Sequence, residues 1–219
     1  MAIAYNPSVV RNGLKLYYDP ANQKCYPGTG SAVTDLSGSG AAGTLGSATT
    51  VTSETGGIFD NASSGTNFQT NSSQSISTST VSAMVWVKVA THGNWIDFVK
   101  NNWVNSGWII FSSSDSWHAA LAQSGTQYGA SVVHSNSTAW THLTLTYDAT
   151  TLCLYVNGAL ASTNSFVPNA VLDAGFPIVF AGGSRPGGYK TSLIKIYNRA
   201  LTAQEVLQNF NATRGRFGV

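Results

Sequence analysis

Hydrophobic and polar positions alternate along most of this chain, and the alternation predicts strands. In "TVSAMVWVKVA", residues 80–90, Val81, Ala83, Val85, Val87 and Val89 fall on one face, and Met84, Trp86 and Lys88 on the other. Both faces are largely apolar, which marks a central strand covered by layers on both sides. "GLKLYYDP" alternates Leu14, Leu16 and Tyr18 with Lys15 and Tyr17, then stops at Asp19-Pro20. Shorter strands are predicted in "GGIFD", "WIDFVK", "GWIIFSSS", "WTHLTLTYD", "FPIVFAGGS" and "TSLIKIYNR". "TLCLYVNGALAST" reads as a hairpin, because Asn157-Gly158 accepts the positive φ values of a type I′ turn. Residues 21–57 read as a long loop or a set of short strands. The polar run from Asn61 to Thr80 is placed in a loop or at an edge.

One helix interrupts this pattern. After the last strand, Thr202 fits an N-cap and Glu205 stands three residues on, a capping box. Leu201 and Val206 are spaced as a hydrophobic staple, and Val206, Leu207 and Phe210 form an apolar stripe. The expected role is structural: to cover a sheet edge or an open end. Many short strands, turn residues between them and no alternating helices predict an all-β, two-sheet antiparallel jelly-roll sandwich with one short C-terminal helix.

The 219 residues suit one large β domain, taken as residues 1–219. Only 9% are charged, against roughly 25% in an average soluble domain. The net charge of +2 offers no dense basic face for phosphates, so nucleic acid is not an expected partner. The two arginines of the ending "TRGRFGV" are read as a solvated tail or an assembly contact. No run approaches the ~20 apolar residues of a membrane-spanning helix, and "MAIAYNPSVV" is not a signal peptide. Cys25 and Cys153 are expected as free thiols, Cys153 as a small core residue.

Catalysis in sandwich hydrolases needs two carboxylates about 5–10 Å apart. The acids here are scattered: Glu205 belongs to the capping box, Glu54 lies in a Thr/Gly loop, and the seven aspartates stand singly. No enzyme activity is expected. His142 is expected to be packed or hydrogen-bonded; His92, His118 and His134 are read as solvated loop residues. Aromatics are the richer signal. Trp95, Trp103, Trp108, Trp117 and Tyr128 fall between residues 92 and 130, among His118, Asn94, Asn101, Asn102, Asn105 and Gln127. Aromatic platforms with planar amides suit sugar rings, which present C–H faces and hydroxyl edges. The same residue types serve assembly contacts. Trp86, Trp108 and Trp140 are assigned to the core. The candidate glycan or assembly contacts are therefore Trp95, Asn101, Asn102, Trp103, Trp117, His118 and Tyr128.

In order, the segments "LKLYYDPANQKCYPGTGSAVTDLSGSGAAGTLGSA", "TVSAMVWVK", "WTHLTLTYDATTLCLYVNGAL" and "AGGSRPGGYKTSLIKIYNRALTAQEV" resemble the laminin-G-like, concanavalin-A-like jelly-roll domains. The loop "PANQKCYPGTG" and the ending "NATRGRFG" are similar to a subset found in structural proteins of tailed phages and marine viruses. That resemblance implies a virion component: a capsid decoration, fibre or tail appendage. Its implied partners are other virion proteins, further copies of itself and, through an adhesive role, a cell-surface glycan. The alternative is a carbohydrate-binding lectin module outside any virion. Some relatives bind calcium, but Asn157 stands where many carry Asp and no dense oxygen cluster is visible, so no metal or cofactor is expected.

Overall fold

The computed structural model describes residues 8–47, 49–61, 68–73, 76, 79–90, 95–103, 106–134, 138–165, 175–180 and 188–219. The strands run β1 (Leu14–Tyr18), β2 (Ala32–Val33), β3 (Gly43–Thr44), β4 (Thr50–Thr52), β5 (Ile58–Asn61), β6 (Phe68–Thr70), β7 (Val81–Val89) and β8 (Ile96–Asn101). They continue with β9 (Ser106–Ser113), β10 (Ser116–Gln123), β11 (Thr126–Val133), β12 (Thr141–Tyr147), β13 (Thr151–Val156), β14 (Ala159–Ser165), β15 (Ile178–Phe180) and β16 (Tyr189–Tyr197). A helix α1 (Ala203–Asn211) and a four-residue helical turn α2 (Arg214–Phe217) follow.

Among the described residues the strands form two eight-stranded sheets. The first runs β14-β13-β12-β7-β16-β5-β4, with β1 also paired to β16; the second runs β11-β10-β9-β8-β15-β6-β3-β2. Every described pairing is antiparallel, as between β7 and β12 or β9 and β10. This is the two-sheet jelly-roll sandwich that the alternation predicts. Val85, Val87, Leu143 and Ile194 of the first sheet meet Phe98, Trp108, Ile110 and Trp117 of the second in the main core. Residues 21–57 resolve into short strands. Within the polar run after Asn61, the described strand β6 is not at an edge: it lies between β15 and β3, and Phe68 is fully buried. One large aromatic anchors that otherwise polar stretch by packing against Tyr18, Phe59 and Phe180.

The helix touches the edge strand β14 but covers more than an edge. It lies on the outer face of the first sheet, where the other side of β7 points. Val206 packs with Met84, Tyr155, Tyr197 and Leu201, and Phe210 with Trp86, Trp140 and Leu193. The staple pair Leu201 and Val206 is thus formed, whereas Leu207 stays 44% exposed. The capping box is present: Thr202 Oγ1 accepts from the Glu205 N–H, and Glu205 accepts from the Thr202 N–H. Arg199 adds a bidentate pair at 2.6 and 2.8 Å, which holds the Glu205 carboxyl down at about 2.

The ending "TRGRFGV" is no solvated tail. Phe217 stacks on Trp86 with ring centroids 4.2 Å apart and also packs on Trp140. Arg216 donates to the Thr55 carbonyl (2.6 Å), the Asp19 carboxylate (2.6 Å), the Gly57 carbonyl and Ser192 Oγ. The DLSG segment is also structural: the Asp35 carboxylate accepts from the Tyr17, Ser37 and Ser39 N–H groups. Both cysteines are free, but their expected places are exchanged. Cys25 is the core residue, and Cys153 is half-buried under the helix side.

The Asn157-Gly158 turn forms as read, with φ of +50° and +80°. Asn157 Oδ1 also accepts from the His142 N–H at 2.9 Å. Asn157→Ala forces a Cβ-bearing residue into the left-handed region and orphans that donor. It is expected to lower stability by about 1–2 kcal/mol, read as a lower urea midpoint at unchanged slope.

Candidate functional site

The candidate site lies on the outer face of the second sheet. Side chains alternate along β9 and β10: Trp108, Ile110, Trp117, Ala119 and Leu121 point into the main core, whereas Ile109, Phe111 and Ala120 form a separate cluster outside it. Register sets Asp97 opposite Phe111 and Phe111 opposite His118, one row across three strands. The next row sets Lys100 opposite Ile109 and Val179, and Val179 opposite Gln69.

An aromatic stack rests on the first row. The Trp95 ring lies 4.0 Å from Phe111 at 18°, and His118 lies 4.5 Å from Phe111 at 8°. Trp103 closes the group, 6.4 Å from Trp95 and 6.0 Å from Phe111. Phe111 is buried beneath, while Trp95 is 37% exposed. Burial lowers the His118 pKa despite a bond to the Ser113 carbonyl, so its ring is neutral at neutral pH.

Beside the stack lies a groove of about 200 Å³ lined by Gln69, Lys100, Asn102, Trp103, Phe176, Pro177 and Val179. Phe176 is 47% exposed. The β8–β9 connection brings Trp103 to its rim. Gly107 (φ +148°) makes this possible, since a Cβ there would stand 1.9 Å from the Asn101 carbonyl oxygen.

Of the seven candidate contacts, the structure brings together Trp95, Trp103, Asn102 and His118. Trp117 is buried between the sheets, near Phe98 and 4.1 Å from His134, because its parity along β10 turns it inward. Asn101 is buried too, and its amide donates to the Phe176 carbonyl at 2.9 Å, a bond that holds the groove wall. Tyr128 stands opposite Leu121, on the inward-facing side of β11. His92, Asn94 and Asn105 lie outside the described residues. Neither His118 nor His134 is a solvated loop residue: His118 lies half-buried on β10 against Phe111 and His134 is buried, whereas His142 is packed 5.1 Å from Trp86 as expected. Phe111, Asp97, Lys100, Gln69 and Phe176 were not among the candidates.

Several carboxylates are held by cations, and Glu54 and Asp60 share one of them, Lys190. Glu54 pairs with Lys88 and Lys190, Asp19 with Arg216, Glu205 with Arg199 and Asp97 with Lys100. Among the described residues no group of three or more His, Cys, Asp or Glu could hold a metal ion. No helix among them is long and apolar enough to cross a membrane. A second cleft, about 300 Å³, opens between the "PANQKCYPGTG" loop and the end of β4, with Tyr26, Pro27, Val51 and Ser53 in its walls.

Two antiparallel sheets packed as a sandwich, with one short helix after the last long strand, define a concanavalin-A-like jelly roll. The chain belongs to the concanavalin A-like lectin/glucanases superfamily, whose laminin-G-type family model matches residues 60–207. No curated protein matches the sequence. Similar solved structures include the binding domain of Paraclostridial Mosquitocidal Protein 1, 20% identical with a TM-score of 0.73, covering 92% of this chain and 52% of that one. The receptor binding domain of botulinum neurotoxin C/D mosaic serotype is 17% identical with a TM-score of 0.76, covering 92% and 51%. That of botulinum neurotoxin type G is 17% identical with a TM-score of 0.72, covering 91% and 51%. The chain spans about half the length of these structures, and the likeness at this identity is one of fold.

Proposed function

We propose that this jelly roll is a non-enzymatic binding module that takes a carbohydrate on the Trp95–Trp103 face of its second sheet. The observation that carries the reading is an exposed indole locked on Phe111 beside an amide-edged groove. Such a floor matches the C–H face of a sugar ring, and Gln69 and Asn102 supply amides for its hydroxyls. The similar toxin structures are binding domains, which supports a binding role. The test is a glycan array followed by titration of the hits. Trp95→Ala should weaken binding at least about tenfold, the factor equivalent to 1.4 kcal/mol, while the protein stays folded. A blank array at high protein density, with and without calcium, would sink the reading.

We further propose that the module works on a virus particle, as a capsid decoration, fibre or tail appendage. Support comes from the phage-like loop and ending, and from charge placement. No Lys or Arg falls between Lys100 and Arg185, so strands β9 to β14 can meet neighbouring subunits without cationic repulsion. Mass spectrometry of gradient-purified particles from the source should find tens to hundreds of copies per particle. Absence from particles would leave a free lectin module.

A further inference from the structure

We infer that Asp97 is the positioning and specificity-determining residue of the aromatic groove, and that it restricts the ligand to uncharged sugars. The inference rests on the carbohydrate reading above and names the sugar class.

Asp97 sits at a break in the β8–β9 register, its side chain turned to the outer face and almost wholly buried. A carboxylate at such depth needs donors on both oxygens. Oδ1 accepts from the Trp95 indole N–H, and Oδ2 accepts from Lys100 Nζ at 2.6 Å. One buried group thus holds both the sugar platform and the groove's cation. The first bond fixes the plane of the Trp95 ring, which the Phe111 stack alone would leave free to slide. The second occupies the ammonium.

Lys100 is the one charged side chain lining the described groove. With its charge matched by Asp97 and His118 neutral, a ligand meets aromatic rings, a proline, amides and a neutral ion pair. An anionic sugar would have to compete with Asp97 for Lys100 and bring its own charge against the Asp97 carboxylate. A neutral ring bears neither cost.

The test compares wild type with Asp97→Asn on an array that pairs neutral oligosaccharides with their sulfated and sialylated forms. The wild type should prefer the neutral form by tenfold or more. Asp97→Asn should lose about tenfold on neutral sugars. It should also gain salt-sensitive binding to anionic ones, because Lys100 is released. Adding Lys100→Gln should erase that gain. Independently of any ligand, Asp97→Asn should increase acrylamide quenching of tryptophan fluorescence as Trp95 loosens. A wild type that binds but favours anionic sugars overturns the inference alone, and does so even where the variant fails to fold. An unchanged neutral-to-anionic ratio in folded Asp97→Asn does the same. A wild type blank on every sugar ends the carbohydrate reading itself, and this inference with it.

Discussion

Arg216→Ala will lower folding stability by about 3–5 kcal/mol, the usual loss when one partner of a largely buried, hydrogen-bonded ion pair is removed. The side chain is 20% exposed and its partner Asp19 15%. Its guanidinium fork joins three segments distant in sequence: Asp19 after β1, the carbonyls of Thr55 and Gly57 before β5, and Ser192 in β16. Removal leaves the Asp19 carboxylate without its cation and two carbonyls without this donor. It also loosens the turn that presses Phe217 onto Trp86. Arg216→Lys should recover little, because an ammonium cannot reproduce the planar fork. Urea unfolding followed by tryptophan fluorescence checks this. A loss under about 1 kcal/mol would mean that the ending behaves as an exposed surface pair.

That ending also shows where sequence reading stops. Period-2 alternation placed β7, β12, β13 and β16, because each buries one whole face and the signal is local. The capping box and the Asn-Gly turn were legible for the same reason: their partners lie within a few residues. Arg216 offers no local pattern, since its partners are backbone carbonyls some 160 positions away, Thr55 at a separation of 161 and Gly57 at 159. Two arginines near a terminus look like solvated charge. Phe68 failed in the same way, as one large aromatic in a polar run. At the candidate site, composition pointed to the stretch between residues 92 and 130 but not to which of its side chains share the outer face. Trp117 and His118 are adjacent, and only parity separates the core residue from the surface one. Parity was readable there, since Trp117, Ala119 and Leu121 alternate. It was not readable in "GWIIFSSS", where Ile109 and Phe111 are as apolar as Trp108 and Ile110, so the floor of the stack stayed hidden.

Stability should fall by about 2 kcal/mol between pH 6.5 and pH 5, mainly through His142. This residue is buried under α1 between Trp86 and Phe210, and no hydrogen bond reaches its Nδ1. Burial, helped by the positive charge of Lys195, pushes its pKa down to about 3 from the ordinary 6.5. The folded state therefore binds fewer protons than the unfolded chain throughout that interval. The stabilisation is whole above pH 6.5 and drains away as pH falls toward 3. Lys195 adds no slope there. Burial lowers its pKa to about 8, so it is charged in both states at these pH values. The carboxylates with lowered pKa, Asp35, Glu54, Asp148 and Glu205, lose their contribution at lower pH still, below about 4.5. The window from 6.5 to 5 thus belongs to histidines. His142→Leu should flatten most of it, leaving a smaller slope from His118, whose pKa is also lowered. Urea midpoints measured at half-unit steps would decide the matter. An equal slope in wild type and variant would place the protonation elsewhere.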